Sequence, residues 1–257
     1  MVLDLDDKVV LVTGASRGIG ATIAQAFAQQ GANVVVNYLQ NETAARAVVA
    51  ACDKFAGSAM RVQADVSDAD AVRTLIAEVV DNFGKIDVLV NNAFRPYVFS
   101  PEERTRFPDL AWEHYQSQFD GAVPATFSMC QAVLPFMQRQ ARGSIINMTS
   151  DLVERPSIAY HDYATAKSAL VGFSRNLAAE VGAFGVRVNC VAPGLVYPTG
   201  ASRATKEGVK EMLIAQTPLK RIATPSDITG PVLFLASNWS QFITGQTLVV
   251  DGGLVMT

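Results

Sequence analysis

Short apolar runs rich in β-branched residues recur along the chain, and between them lie longer stretches whose apolar positions return with helical spacing. Val9–Thr13, Asn33–Asn37, Ala59–Ala64, Ile86–Asn91, Ser144–Thr149, Val186–Ala192 and Thr247–Val250 are predicted as strands. Most show no polar–apolar alternation, the pattern of parallel strands covered on both faces. Helices are predicted over Ile19–Gln30, Glu42–Phe55, Ala69–Phe83, Ala111–Gln140 (broken), Asp162–Gly182 and Pro225–Ser237. Gly31, Gly57 and Gly84 closely follow three of these, where a helix stop favours glycine. The β-α-β-α alternation predicts an α/β fold, one doubly wound parallel sheet of about seven strands with helices on both faces. No Pro-, Ser- or Gly-rich linker, low-complexity tract or longer repeat interrupts it, so residues 1–257 are expected to form a single domain.

At 257 residues the chain is long enough to bury a core in one domain. Its 49% hydrophobic and 18% charged residues make a globular composition, and a net charge of −3 argues against the basic face of a nucleic-acid binder. Cys52, Cys130 and Cys190 are too scattered for a CxxC pair, which predicts reduced core thiols rather than disulfides or a zinc site. The acidic opening MVLDLDDK lacks the apolar stretch of a leader, and no run approaches the ~18 residues of a membrane span. These features predict a cytoplasmic protein with neither nucleic acid nor membrane as partner.

Thr13-Gly14-Ala15-Ser16-Arg17-Gly18-Ile19-Gly20 joins the first strand to the first helix. Glycines there permit a tight turn and bring a pyrophosphate close to the free N–H groups of the helix N-terminus. The spacing is GxxxGxG rather than GxGxxG, and a tight βα turn needs glycine whatever it binds. Its place after strand one of a Rossmann-type pattern is what points to a dinucleotide. Where a carboxylate would bind the ribose 2′-hydroxyl of NAD, at the end of the second strand, stand Asn37-Tyr38-Leu39. Without that charge, and with Arg17 able to pair with a 2′-phosphate, the expected cofactor is NADP(H); a solvated loop arginine is the other reading of Arg17. Asp65-Val66 after the third strand are candidates to receive the adenine. Asn91-Asn92-Ala93 follow the fourth, with a strand-tying role for Asn91 and a cofactor role for Asn92 equally open.

Tyr163 and Lys167 are spaced i, i+4 at the start of a predicted helix, so they share a face. An unperturbed phenol, with a pKa of about 10, is a weak acid–base group at neutral pH, and a nearby ammonium lowers that value. Tyr163 so tuned can give a proton to a carbonyl oxygen or take one from an alcohol. Ser150 ends the fifth strand at the carboxyl edge of the sheet, where ligands bind in open α/β folds, and its hydroxyl can hold the substrate oxygen. Tyr160 is a rival phenol without a lysine at i+4, His161 falls outside the Tyr163–Lys167 face, and His114 has no partner in view. With two histidines and no carboxylate–His cluster, no metal is expected.

Taken together, TGASRGIG, NNA, Ser150 with the Tyr163–Lys167 pair, Pro193-Gly194 after the sixth strand and ITGQTLVVDGG near the C-terminus resemble the short-chain dehydrogenase/reductase family, from Leu5 onward. Within it, the chain most resembles bacterial 3-oxoacyl-(acyl-carrier-protein) reductases. The resemblance implies an NADP(H)-dependent oxidoreductase that reduces a ketone, here a 3-oxoacyl thioester, to a secondary alcohol. It implies Ser150 as substrate orienter, Tyr163 as general acid/base, and Lys167 as pKa tuner and nicotinamide-ribose ligand. The cofactor would lie along Gly14, Ser16, Arg17, Gly18, Ile19, Gly20, Asn37, Tyr38, Asp65, Val66, Asn92 and Ala93, with Pro193, Gly194 and Val196 bordering the nicotinamide. A homotetramer or homodimer is also implied, joined through the fourth and fifth predicted helices and the C-terminal strand.

The chain departs from the family pattern in three places. Phe94 follows NNA where the family has Gly, and the Thr after Pro193-Gly194 comes one place late, at Thr199. Where the family carries a fourth catalytic Asn, this chain reads Gln118-Phe119-Asp120-Gly121-Ala122-Val123-Pro124. Pro124 lacks an N–H, so within a helix it would leave the Asp120 carbonyl unpaired and bend the chain. That carbonyl, or the Asp120 side chain, is a candidate holder of the water linking the lysine to solvent; an ordinary proline kink is the alternative. Phe94-Arg95-Pro96-Tyr97-Val98-Phe99, Leu152-Val153, Leu195 and Tyr197 make a lining suited to a hydrophobic ketone. Arg95, Arg104, Arg106 and Arg155 are either contacts for the phosphate of a carrier or CoA, or scattered surface charges. Two other functions stay open: a dehydrogenase of a sugar, polyol or other secondary alcohol, and an NADP(H)-binding sensor without turnover. The complete Ser–Tyr–Lys set argues against the sensor.

Overall fold

Seven strands make one parallel sheet: β1 (Val9–Val12), β2 (Asn33–Tyr38), β3 (Ala59–Gln63), β4 (Val88–Asn91), β5 (Gly143–Met148), β6 (Val186–Pro193) and β7 (Thr247–Val250). The structure, a computed structural model, describes residues 3–97 and 99–256; Met1, Val2, Val98 and Thr257 lie outside the described residues. The strand order β3-β2-β1-β4-β5-β6-β7 means that the chain winds outward from β1 to one edge, then returns and winds to the other. That reversal opens a crevice at the carboxyl ends of β1 and β4, where ligands bind in such sheets.

The helices are α1 (Gly18–Gln29), α2 (Glu42–Cys52), α3 (Ala69–Phe83), α4 (Trp112–Asp120), α5 (Val123–Arg139), α6 (His161–Val181), α7 (Glu207–Gln216) and α8 (Pro225–Ala236). Alternate strand residues point to opposite faces, so β1 splits between two cores. Val10 and Val12 pack with Ile23, Phe27 and Ile228 of α1 and α8. Val9 and Leu11 pack on the other face with Val79, Met129 and Val133 of α3 and α5. A fully buried aliphatic side chain of this kind contributes about 1.5–3 kcal/mol, and the runs without alternation follow from burial on both faces.

Local chemistry fixes the helix ends. The Asn41 and Asp68 side chains accept from the first turns of α2 and α3, at 2.9 Å from the Ala44 N–H and 2.8 Å from the Asp70 N–H. Gly84 closes α3 in the left-handed conformation (φ 73°), and Gly31, beyond α1, also has positive φ. Gly57 plays a different part from the expected helix stop. Its φ is not positive, and its α-carbon lies so close to the Ala32 carbonyl that a β-carbon would collide with it.

The expected broken helix is two helices, with Ala122 as the N-cap of α5. Pro124 therefore does not kink a continuous helix. It occupies the first turn of α5, where an N–H would have no intrahelical partner. Helix α7 was not predicted, although Val209, Met212 and Leu213 stand at helical spacing; none of its residues is fully buried.

Candidate active site

A cleft of about 780 Å³ runs along the carboxyl ends of the strands, from the glycine loop after β1, past Asp65 and Asn92, to Ser150 and Pro193. Its first wall is a turn held by three side chains from neighbouring strands. Thr13 Oγ1 accepts the N–H groups of Asn92 (3.0 Å) and Ala93 (2.9 Å). Asn92 Nδ2 donates back to the carbonyls of Thr13 (2.9 Å) and Gly14 (3.3 Å). Asn37 Oδ1 accepts the Gly14 N–H at 3.3 Å, while its Nδ2 reaches the Ala64 carbonyl at 3.1 Å. The glycines answer to this crowding. A β-carbon at Gly20 would stand 2.5 Å from Asn92 Nδ2 and 2.7 Å from the Gly14 carbonyl, and Gly14 and Gly18 have positive φ. The result is a side-chain-free cradle at the start of α1, where unpaired N–H groups and the helix dipole suit a pyrophosphate.

The expected cofactor contacts sort themselves in this frame. Gly14, Ser16, Arg17, Gly18, Ile19, Gly20, Asp65, Val66, Asn92, Ala93, Pro193, Gly194 and Val196 all line the cleft. Asn37 lines it too, but is buried with its side chain committed to the loop and β3. Tyr38 needs correction: strand alternation turns it into the core beside Val48 and Cys52, and it does not reach the cleft. Leu39, Gln40 and Asn41 line the cleft there instead. The first carboxylate after β2 in the chain, Glu42, does not line the cleft and is engaged by Arg46 and Arg61, each at 3.0 Å. Arg17 is exposed, and its guanidinium lies beside Gly200 of the segment after β6. Thr199 lines the cleft with its hydroxyl tied to Ser202 Oγ at 2.8 Å. Asn91 ties strands together by donating to Asn147 Oδ1 at 2.8 Å, and Asn147 in turn donates to Ser174 at 2.7 Å.

At the other end, Ser150, Tyr163 and Lys167 are all buried and line the same cleft. Lys167 Nζ donates to the Met148 carbonyl at 2.9 Å and lies 5.1 Å from the Phe94 ring centre and 5.9 Å from that of Tyr163. Burial pulls its pKa down to about 8. Burial also raises the Tyr163 pKa above that of a free phenol, with a further push from Asp151 and a partial counterweight from the Ser150 hydroxyl. The expected lowering of the Tyr163 pKa does not appear here, because burial prevails. Tyr163 is held in its protonated form.

The segment after β4 forms an aromatic wall. The rings of Tyr97 and Phe99 lie 5.1 Å and 4.9 Å from that of Tyr163, both also pack on Tyr160, and Phe94 stands edge-on at 6.4 Å. Tyr97 donates its hydroxyl to Asp162 Oδ1 at 2.9 Å, which fixes the wall to the start of α6. Leu152, Leu195, Ile158 and Leu213 extend the apolar lining, whereas Val153 and Tyr197 do not line the cleft. Of the four arginines, only Arg95 lines the cleft, donating to Ser117 Oγ at 3.1 Å. Arg104 and Arg155 bond to the Ala159 carbonyl and to Gln216. His161 packs on Phe107, and His114 is exposed. Asp120 is exposed at the end of α4 and lines the cleft with Gly121. Asp151, Ile158, Asp162 and the lining from α7 went unread in the sequence; the Asp beside Ser150 was the one available signal.

This arrangement defines an oxidoreductase acting on CH–OH groups, and the chain belongs to the short-chain dehydrogenase/reductase family. A family model described as enoyl-(acyl carrier protein) reductase matches residues 14–255. The 3-oxoacyl-(acyl-carrier-protein) reductase of Staphylococcus epidermidis is 37% identical over 250 residues, covering 97% of this chain and all of that protein. Among solved structures, 3-oxoacyl-(acyl-carrier protein) reductase from Brucella melitensis superposes with a TM-score of 0.88 at 34% identity, over 98% of this chain and 92% of that one. A 7α-hydroxysteroid dehydrogenase complexed with NADH and 7-oxo glycochenodeoxycholic acid superposes with a TM-score of 0.88 at 32% identity, over 97% and 94%. Among the described residues, no helix is long and apolar enough to cross a membrane.

Proposed function

We propose that this protein is an NADP(H)-dependent ketone reductase whose substrate is a 3-oxoacyl thioester. The observation that carries the reading is the convergence of Ser150, Tyr163 and Lys167 on one cleft, beneath an aromatic wall and continuous with a glycine cradle. The names of the relatives supply the 3-oxoacyl group.

Bound NADPH supplies the hydride. The chain's own residues handle the oxygen: Ser150 holds the carbonyl oxygen, and Tyr163, kept protonated by burial, gives it a proton. The Lys167 ammonium, anchored on the Met148 carbonyl, stabilises the phenolate that remains. Asp120, which lines the cleft at the C-terminal end of α4, where helix carbonyls have no intrahelical partner, holds the water through which that proton is restored from solvent. The sum is ketone, NADPH and a proton giving secondary alcohol and NADP⁺. The preference for the phosphorylated cofactor rests on Arg17 at the cleft and on the absence of a free carboxylate beyond β2.

A second reading, a dehydrogenase of an apolar secondary alcohol, is favoured by the aromatic lining and by the hydroxysteroid dehydrogenase likeness. NADPH oxidation with a panel of 3-oxoacyl thioesters, set against NADP⁺ reduction with steroid and polyol alcohols, separates the two. Higher kcat/KM on the alcohols would replace the first reading with the second. We further propose a cytoplasmic homotetramer or homodimer, supported by three free buried cysteines and by the exposed Trp112, Phe119 and Phe127 on α4 and α5 and Leu248 on β7. Light scattering after gel filtration tests the assembly.

A further inference from the structure

Asp151 follows Ser150 directly and is equally buried, yet the proton path above does not use it. Ser150 Oγ sits 3.3 Å from Asp151 Oδ1, donating to it, and accepts the Leu152 N–H at 3.3 Å. Across the Gly194 backbone stands Asp251. A β-carbon at Gly194 would lie 3.2 Å from Asp151 Oδ2 and 2.8 Å from the Asp251 β-carbon. The two carboxyls are differently provided for. Asp251 accepts three N–H groups, from Gly253 (2.9 Å), Leu254 (3.1 Å) and Val255 (2.7 Å). Asp151 has the Ser150 hydroxyl. The charged groups facing it are Asp251 beyond β7, which opposes its ionisation, and Arg155 in its own turn, which favours it; Tyr163 of α6 is the titratable group it acts on in return. Burial and Asp251 prevail, and the Asp151 pKa is pushed up to about 7.

A serine hydroxyl has one hydrogen to give. While Asp151 is ionised, that hydrogen is drawn to Oδ1, and the ketone oxygen competes with a carboxylate for it. Once Asp151 is protonated, its own O–H can be given to Ser150 Oγ, and the serine hydrogen is released toward the ketone. Protonation also removes a negative charge that opposes formation of the Tyr163 phenolate. We propose that Asp151 is a positioning residue that sets the direction of the Ser150 hydrogen bond by its own proton state, favouring ketone reduction when protonated and alcohol oxidation when ionised. This rests on the reading of Ser150 as the group that holds the substrate oxygen.

The test is the pH profile of kcat/KM for ketone reduction in the wild type and in Asp151→Asn, whose amide offers either a donor or an acceptor and does not titrate. The wild-type profile should begin to fall near pH 7. The variant's should hold to about pH 8, where Lys167 loses its proton. The variant would then retain about tenfold more of its acid-limit kcat/KM at pH 8, one pH unit being a tenfold change in ionisation ratio. The shape of the curve decides, so a change in absolute rate is immaterial; superimposable shapes overturn the inference. Infrared difference spectra of wild type minus variant give a readout independent of turnover. A protonated-carboxyl band at about pH 5.5 that vanishes by about pH 8.5 is expected, and its absence at acid pH overturns the inference. Failure of the wild type to reduce any ketone would instead count against the proposed function.

Discussion

The two ends of the cleft are built by different means. At the cofactor end, side chains bond to backbone: Thr13, Asn37 and Asn92 take up N–H and carbonyl groups of the glycine loop and of the strand beside it. At the substrate end, side chains pack on side chains: Tyr97 and Phe99 lie against both Tyr163 and Tyr160, and Tyr97 is tied to Asp162. Backbone bonding holds the loop so closely that a β-carbon at Gly20 would collide with Asn92. Aromatic packing fixes a surface while leaving its composition open. A cofactor common to many reactions suits the first construction, and a substrate particular to one suits the second.

The comparison can be broken or sharpened in graded steps. The largest effect is expected from Tyr163→Phe, which should lower kcat by about 10³-fold while leaving NADPH affinity within about threefold. Comparable losses in both would mean that the ends are not separable. Thr13→Val removes the shared acceptor of two part-buried N–H groups, of which that of Asn92 keeps the Val90 carbonyl at 3.1 Å, and should cost about 1 kcal/mol in urea unfolding, with weakened NADPH binding. Unchanged stability would remove Thr13 from its place at the centre of the loop. Arg17→Ala should weaken NADPH by about tenfold and leave NADH nearly unaffected, measured by fluorescence titration.

Raising the pH through about 8 should lower reductive turnover as the Lys167 ammonium is lost. Folding responds with the opposite sign. The Lys167 pKa is lower folded than unfolded, so the unfolded chain holds more protons between about pH 8 and 10.5, and Lys167 contributes a rise in stability across that window. The smallest effect is expected from Phe99→Ala, a few-fold change in KM for the ketone with cofactor affinity unchanged, since an edge-to-face pair contributes about 0.5–1.5 kcal/mol.

Much of the fold was legible because burial on both faces of a parallel strand leaves unbroken apolar runs, and each of the seven strands falls within a residue or two of its predicted range. Helix α7 was not, because the apolar spacing of Val209, Met212 and Leu213 spans little more than one turn, too short a stretch to mark a helix. Ser150, Tyr163 and Lys167 could be read from spacing and position. The part played by Asn37 could not: its neighbours Gly14 and Ala64 come from two other strand ends, and only the register of β1, β2 and β3 brings them together. Tyr38 was misplaced by one step of strand alternation. Asp151 was illegible as a titrating group, since its proton affinity depends on burial and on Asp251 at the far end of the chain.

The Thr13 hydroxyl, which accepts the N–H groups of Asn92 and Ala93, has a consequence for how such a site can be modified over generations. It places the last residue anchored to the cofactor loop at Ala93, immediately before the aromatic segment begins. Replacements in the aromatic segment that follows can therefore alter what is recognised while the hydrogen bonds of the nucleotide loop stay in place.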